Sequence, residues 1–378
     1  MTLSMNNALD SVVPSGIRRF NALAKQTPGC ILLTLGEPEF NTPEAIKAEV
    51  PVALDKNMTH YPPNNGEGYL LDALSQHMEG EGLKYRSDEI IVTCGATEAL
   101  YATFMAMLNP GDEVIIPVPA FVLYESIVRM CRAVPVLMDT TADGFQITEE
   151  NLRESVSERT KAIVLTSPNN PTGCVLTAET LDAVARVAEE TEMFVICDDV
   201  YHQLTYKDDF ERFAVRHPEL RPQTVVVDSY SKPYAMTGWR LGWLGADGPI
   251  KKVIQKVHQY AVVSVPAFVQ TAAVTALDQD ISEMRETYSG RRDYVVKRLR
   301  DMGFDLFEPE GAFYVFPSVK KYGLTSEEFC ERLIREGGVG LVPGVFFGTE
   351  GFVRLSFCCA QADIEEALNR IEKFLQTL

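Results

Sequence analysis

From about residue 89 to 245 the chain alternates short apolar runs with amphipathic stretches. The runs are EIIVT (89–93), DEVIIP (112–117), VPVLM (134–138), KAIVLTS (161–167), MFVICDD (193–199), TVVVDSYS (224–231) and RLGWLG (240–245). Their short length and β-rich content predict seven buried strands. Between several of them lie helical patterns such as ATEALYATFMAML (96–108) and TAETLDAVARVAEE (177–190), the second with Leu181, Val184, Ala185 and Ala188 at helical spacing. Strand, helix, strand at this rhythm predicts an α/β fold whose mostly parallel sheet is covered by helices on both faces.

The pattern changes after about residue 280. Long charged helical segments, SEMRETYSGRRDYVVKRLRDMG (282–303) and ADIEEALNRIEKFLQTL (362–378), enclose the strand candidates GAFYVFP (311–317) and GFVRLSF (351–357). That mixture predicts a smaller α+β domain. The first 45 or so residues carry no βα unit of their own and are expected to pack with it. The expected division is a large domain over 46–278 and a small one built from 1–45 and 279–378, with no repeat, low-complexity tract or linker between them.

Composition narrows the functional classes. The 378 residues are 46% hydrophobic and 23% charged, ordinary for a soluble globular chain of two or three domains. An excess of 53 acids over 35 bases gives a net charge of -18, which disfavours nucleic acid and anionic membrane as partners. A local basic pocket for a small anion stays compatible with that charge. No apolar stretch approaches the roughly 18 residues of a membrane span, and no secretory signal is visible in the first 20 residues, so the expected compartment is the cytoplasm. Eight scattered cysteines without a CxxC pair, and five histidines without metal-ligand spacing, support neither a disulfide framework nor a metal site.

In open α/β sheets ligands collect at the carboxyl ends of the strands. Here those ends carry CGAT after EIIVT, SPNNPTG after KAIVLT, Asp198 after MFVIC, and SYSK after TVVVD. A lysine in a loop is usually solvated, yet Lys232 stands just past a buried strand, between hydroxyls and a proline, where burial and a nearby cation lower an amine's pKa and make it a nucleophile. Asp198 closes an apolar run, so its carboxylate needs a cation, a cap or an ion pair. Pro168, Pro171 and Gly173 fix a turn that can aim Asn170 inward. Gly95 precedes small residues at a helix start, where free N–H groups favour a phosphate, and Ser229, Ser231 and Arg240 are further anion donors.

The segments CGATEAL, SPNNPTG, ICDDVYH and SYSKPYAMTGWRLG, in this order, resemble the class I and II aminotransferases, fold type I pyridoxal-phosphate enzymes. LGEPEF near residue 36, YPPNNG at 61 and FVRLSF at 352 extend the likeness over nearly the whole chain. The resemblance implies pyridoxal 5'-phosphate as cofactor, held covalently by Lys232, with Asp198 at its ring nitrogen and Asn170 and Tyr201 at its phenolic oxygen. Phe121, in PVPAFVLY, would stack on the ring. Gly95, the N–H groups of Ala96 and Thr97, Ser229, Ser231 and Arg240 would take the phosphate, joined by Tyr61 from a neighbouring subunit in a homodimer with shared active sites. Arg354 would clamp the substrate α-carboxylate beside the backbone of Gly36. Two departures, Ser167 where the family often has Asn before the proline and Asp199 where it often has Glu or another acid arrangement, touch none of Lys232, Asp198, Asn170, Tyr201 and Arg240.

The implied activity moves an α-amino group from an amino acid to a 2-oxo acid, with glutamate and 2-oxoglutarate as one expected pair, in two half reactions. The same resemblance leaves room for a C–S β-lyase, and more distantly for a non-catalytic ligand-sensing module. Arg18 and Arg19, in PSGIRRF, are candidates to approach an acidic side chain, although surface arginines are the commoner case.

Overall fold

The structure is a computed structural model that describes residues 4–378. Seven strands form one sheet: β1 (Ile90–Thr93), β2 (Glu113–Val118), β3 (Val134–Asp139), β4 (Thr160–Thr166), β5 (Phe194–Asp198), β6 (Thr224–Ser229) and β7 (Gly242–Ala246). They lie in the order β1-β7-β6-β5-β4-β2-β3. All neighbours are parallel except β7, which runs antiparallel to both β1 and β6. The seven predicted runs are thus the seven strands, and the α/β, mostly parallel expectation is met.

Apart from the edge strand β3, which is mostly exposed or half-buried, the near-continuous apolar character of these runs follows from burial on both faces. Successive side chains point to opposite faces of a sheet: Ile163, Leu165, Val195, Cys197 and Val226 enter one core cluster, while Val164, Ile196, Val225 and Val227 enter another. The helix Ala178–Thr191 covers the first face with Leu181, Val184, Val187 and Ala188, its start capped by the Thr177 hydroxyl, which accepts from Thr180 N–H. Burying such a Leu or Val side chain contributes roughly 1.5–3 kcal/mol.

A further cluster gathers Phe20 and Ala24 of helix α1 (Gly16–Gln26) with Tyr288, Val295, Phe313, Phe329, Leu355 and Phe374. Ile31–Leu32 pairs in parallel with Val339–Gly340, joining the two ends of the sequence. Where GAFYVFP and GFVRLSF read as longer strands, the structure keeps only Tyr314–Val315 and Val353–Ser356, which pair antiparallel with each other. Helix Glu44–Asp55 straddles residue 46 and packs on Ala267–Leu277 beside the large sheet.

Candidate active site

The carboxyl ends of β4, β5 and β6 open into a cavity of about 550 Å³. Gly36, Ala96, Thr97, Phe121, Asn170, Asp198, Tyr201, Ser229, Ser231, Lys232, Arg240 and Arg354 all line it. Residues spread over more than 300 positions of sequence therefore meet in one place because the strands end together. Gly95 lies behind the wall, where a Cβ would come within 2.8 Å of Arg240 Nη2. Tyr61 points elsewhere: it is 88% exposed and borders a separate surface hollow with Met58, Pro266 and Phe268.

Lys232 sits in the turn after β6, closed by Met236 N–H donating to Ser231 O at 3.2 Å. Its ammonium donates to the Gly36 carbonyl at 2.6 Å. Burial pushes its pKa down to about 8, with Arg354 and Arg240 adding to the fall and Cys358 and Glu37 opposing it. A pKa near 8 leaves roughly a tenth of the amine free at pH 7, far more than an ordinary lysine has, which suits a nucleophilic or proton-transferring role.

Asp198 is the last residue of β5. Its Oδ2 accepts from the Tyr124 hydroxyl at 2.6 Å, and that hydroxyl also meets Thr166 Oγ1 at 2.8 Å. Among the described residues Oδ1 is buried with no side-chain partner. Burial drives the Asp198 pKa up to about 7, against the Tyr124 hydrogen bond and with the help of Asp199. A carboxylate so placed favours a cation opposite Oδ1. Behind it, Arg212 Nε donates to Asp199 at 2.8 Å and Nη1 to Glu81 at 2.7 Å, while His202 stands 3.0 Å from Glu81 and 3.1 Å from Asp228.

At the opposite pole of charge, helix α2 (Ala96–Met107) begins at Gly95, whose φ of 79° is the left-handed region that suits glycine. The first N–H groups of such a helix lack intrahelical acceptors and form an anion site. Arg240 reaches across with Nη1 donating to Thr237 O at 2.8 Å, and Ser231 N–H donates to Ser229 Oγ at 2.9 Å. Arg354 is fully buried with no carboxylate partner among the described residues: Nη1 donates to Asn170 Oδ1 at 2.9 Å, Nη2 to Thr34 O at 2.5 Å, and Nε is unpaired. The Tyr314 ring lies 4.5 Å from its guanidinium carbon. An unneutralised buried guanidinium favours a carboxylate.

Several contributors escaped the sequence reading. Tyr124 lies three residues past Phe121 and meets that ring edge-on at 6.3 Å; the need of a buried aspartate for a donor was its one signal. Tyr314 O–H pairs with Tyr201 O–H at 2.8 Å, and a Cβ at Gly36 would collide with it. Of the two arginines in PSGIRRF, Arg18 lines the cavity, whereas Arg19 is paired with Glu327 and lies over Phe20 and Phe346.

A model of the family "Aminotransferase class I and II" matches residues 28–371. The chain belongs to this family. A probable N-acetyl-LL-diaminopimelate aminotransferase of Bacillus subtilis is 43% identical over 96% of this chain and 93% of its own. An aspartate aminotransferase of Pyrococcus abyssi is 39% identical over 99% of both. The solved aspartate aminotransferase of Thermus thermophilus with maleate superposes with a TM-score of 0.94 at 33% identity, covering 99% of this chain and 100% of that one. The fold is that of the fold type I enzymes, and the protein is a pyridoxal-phosphate-dependent aminotransferase acting on amino acids and 2-oxo acids. Among the described residues no helix is long and apolar enough to cross a membrane.

Proposed function

We propose that this cavity is where the amino group is transferred, with pyridoxal phosphate lying between Asp198, Lys232 and the N-terminus of α2. The observation that carries it is the buried, partnerless Oδ1 of Asp198: a carboxylate raised to about 7 by burial fits the protonated ring nitrogen of that cofactor. The unfilled N–H groups of α2, with Ser229, Ser231 and Arg240, fit its phosphate, and the deprotonating Lys232 fits its aldehyde. Phe121 supplies an aromatic wall; Asn170 and Tyr201 supply an amide and a hydroxyl to the same cavity. Bound there, pyridoxal phosphate supplies an electron sink for the charge left when the donor's Cα loses its proton.

The chain's own groups do the rest. Arg354 holds the α-carboxylate of the amino acid, next to the Gly36 backbone. Lys232 anchors the cofactor and, when free, carries the proton to and from Cα as general base and acid. The same anchors serve the 2-oxo acid in the reverse half reaction, so one site handles both substrates in turn. We propose glutamate and 2-oxoglutarate as one pair, supported by the likeness to aspartate aminotransferases. Replacing Lys232 by alanine is expected to abolish turnover; turnover at the unaltered rate would remove Lys232 from the reaction.

The working form is a homodimer. Tyr61 is 88% exposed, and Tyr260 and Val263, which follow in sequence near Pro266 and Phe268, are 86% and 49% exposed. That apolar surface suits a second copy, and Tyr61 would then reach the partner's phosphate site. We take residues 46–278 as the cofactor domain and 1–45 with 279–378 as the small domain, supported by hydrophobic clusters that follow this division apart from Tyr201, Leu204 and their neighbours, which pack into the second. All eight cysteines are free, as suits the cytoplasm.

A further inference from the structure

The connection from β6 to β7, residues 230–241, carries both Lys232 and Arg240 of the proposed site. The sheet fixes its ends: Ser229 pairs with Gly242, and Tyr230 N–H donates to Leu241 O at 3.2 Å. Between them two residues bearing side chains stand in the left-handed region, Ala235 at a φ of 50° and Arg240 at 55°. Such backbone persists only where its surroundings hold it. For Ala235 the hold comes from outside the loop. Thr42, 193 residues before Ala235 and half-buried, donates its hydroxyl to the Ala235 carbonyl at 2.7 Å and accepts from the Trp239 indole N–H at 3.1 Å. One side chain thus binds the first left-handed residue and the residue just before the second. Between these, the Thr237 hydroxyl donates to Glu37 Oε1 at 2.6 Å, and the Thr237 carbonyl accepts from Arg240 Nη1 at 2.8 Å. Arg240 Nη2 reaches the Cys94 carbonyl at 3.5 Å, behind the N-terminus of α2. The guanidinium is therefore placed by a loop that the 37–42 segment clasps.

We infer that Thr42 is a positioning residue for the phosphate arm of the site. Thr42 itself is not among the residues that line the cavity; it acts through Ala235, Trp239 and the turn that aims Arg240 at the first N–H groups of α2. A hydroxyl serves both contacts at once, because it donates one bond and accepts another. Valine keeps the branched shape and removes both. Without that hold Ala235 is free to return to negative φ, and the 3-10 turn Thr237–Trp239, which leads into Arg240, moves with it. The inference rests on the reading that Arg240 takes the cofactor's phosphate.

The test compares pyridoxal phosphate with pyridoxal, which has the same ring and aldehyde but no phosphate, as ligands of the cofactor-free chain, each followed by growth of visible absorbance. Thr42→Val is expected to weaken pyridoxal phosphate about tenfold, the worth of a hydrogen bond to a charged group, and to leave pyridoxal unchanged. Thr42→Ser should restore the wild-type affinity. Trp239→Phe, which keeps an aromatic ring and removes the indole N–H, should weaken pyridoxal phosphate in the same selective way; it carries the test where circular dichroism shows Thr42→Val to be misfolded. In an Arg240→Ala background Thr42→Val should cost nothing further. Equal losses for both ligands, no loss for either, or a full loss in the absence of Arg240 would overturn the role given to Thr42. The underlying reading fails in a different way, when the wild type itself holds pyridoxal as tightly as pyridoxal phosphate, which leaves Thr42 no phosphate arm to position.

Discussion

Asp198 and Lys232 are two buried ionisable groups whose surroundings move their pKa values towards each other, to about 7 and about 8. For the carboxyl the sign is clear. Unfolded, it titrates near 3.9; folded without cofactor, it keeps its proton to about 7. Over that interval the folded chain holds a proton the unfolded chain has lost, so this group makes the apoprotein less stable as pH rises from about 4 to about 7, by an amount on the order of a few kcal/mol. Asp198→Asn should therefore raise the apoprotein's melting temperature at pH values above 7 while weakening cofactor retention. A lower melting temperature with unaltered retention would contradict the role given to Oδ1. For Lys232, covalent uptake of pyridoxal phosphate by apoprotein should quicken as pH rises through about 8, followed as growth of visible absorbance. A rate flat across that range would show that the amine is not the group that titrates.

At the scale of elements, two buried networks hold the site's parts in register. His258 is fully buried, with Nδ1 2.8 Å from Glu98 in the first turn of α2 and Nε2 2.7 Å from the Asn64 carbonyl, in the loop that carries Tyr61. The ring thus lies between two acceptors and links the helix to the loop. His258→Leu removes this link at a cost of about 1–3 kcal/mol; a lower melting temperature and faster loss of cofactor on dialysis are expected, and neither would change if the link were idle. In the network behind Asp198, burial and the Arg212 charge push His202 down, but Asp228 and Glu81 outweigh them and raise it to about 9. Its contribution to stability is complete below about 6.5 and is lost as pH rises through 9. The stability gap between wild type and His202→Gln should therefore narrow over that range; a constant gap would refute the charged pairing. These networks were not legible in the sequence, because Glu98 and His258 stand 160 residues apart and single polar residues carry no periodicity. The strands were legible, since burial on both faces leaves no polar interruption in runs such as Thr224–Ser229. Tyr314–Val315 reads as a longer strand because its apolar neighbours Phe313 and Phe316 are core while lying outside the ladder.

Across the whole molecule, an acidic chain of net charge -18 surrounds a cavity whose wall holds the cations Arg18, Lys25, Lys232, Arg240 and Arg354. Asp198, Asn170 and Lys232 were readable because they stand at or just past strand ends, whereas Arg354 lies within the short strand Val353–Ser356 and Tyr61 borders a hollow apart from this cavity, where we propose that it serves a second copy. Mixed dimers test that sharing. Lys232→Ala subunits with an intact Tyr61, combined with Tyr61→Ala subunits with an intact Lys232, should regain activity that neither variant has alone. No recovery in a mixture shown to exchange subunits would mean that each chain completes its own site. The central claim, amino-group transfer at Lys232 within this cavity, is tested most directly by the visible spectrum of the cofactor-loaded enzyme while single amino acids are added without any 2-oxo acid. Conversion to the pyridoxamine phosphate spectrum, with one equivalent of 2-oxo acid per site and its absence in Lys232→Ala, is the expected result. A spectrum that no donor converts, or one that shifts while pyruvate and ammonia accumulate, would contradict it.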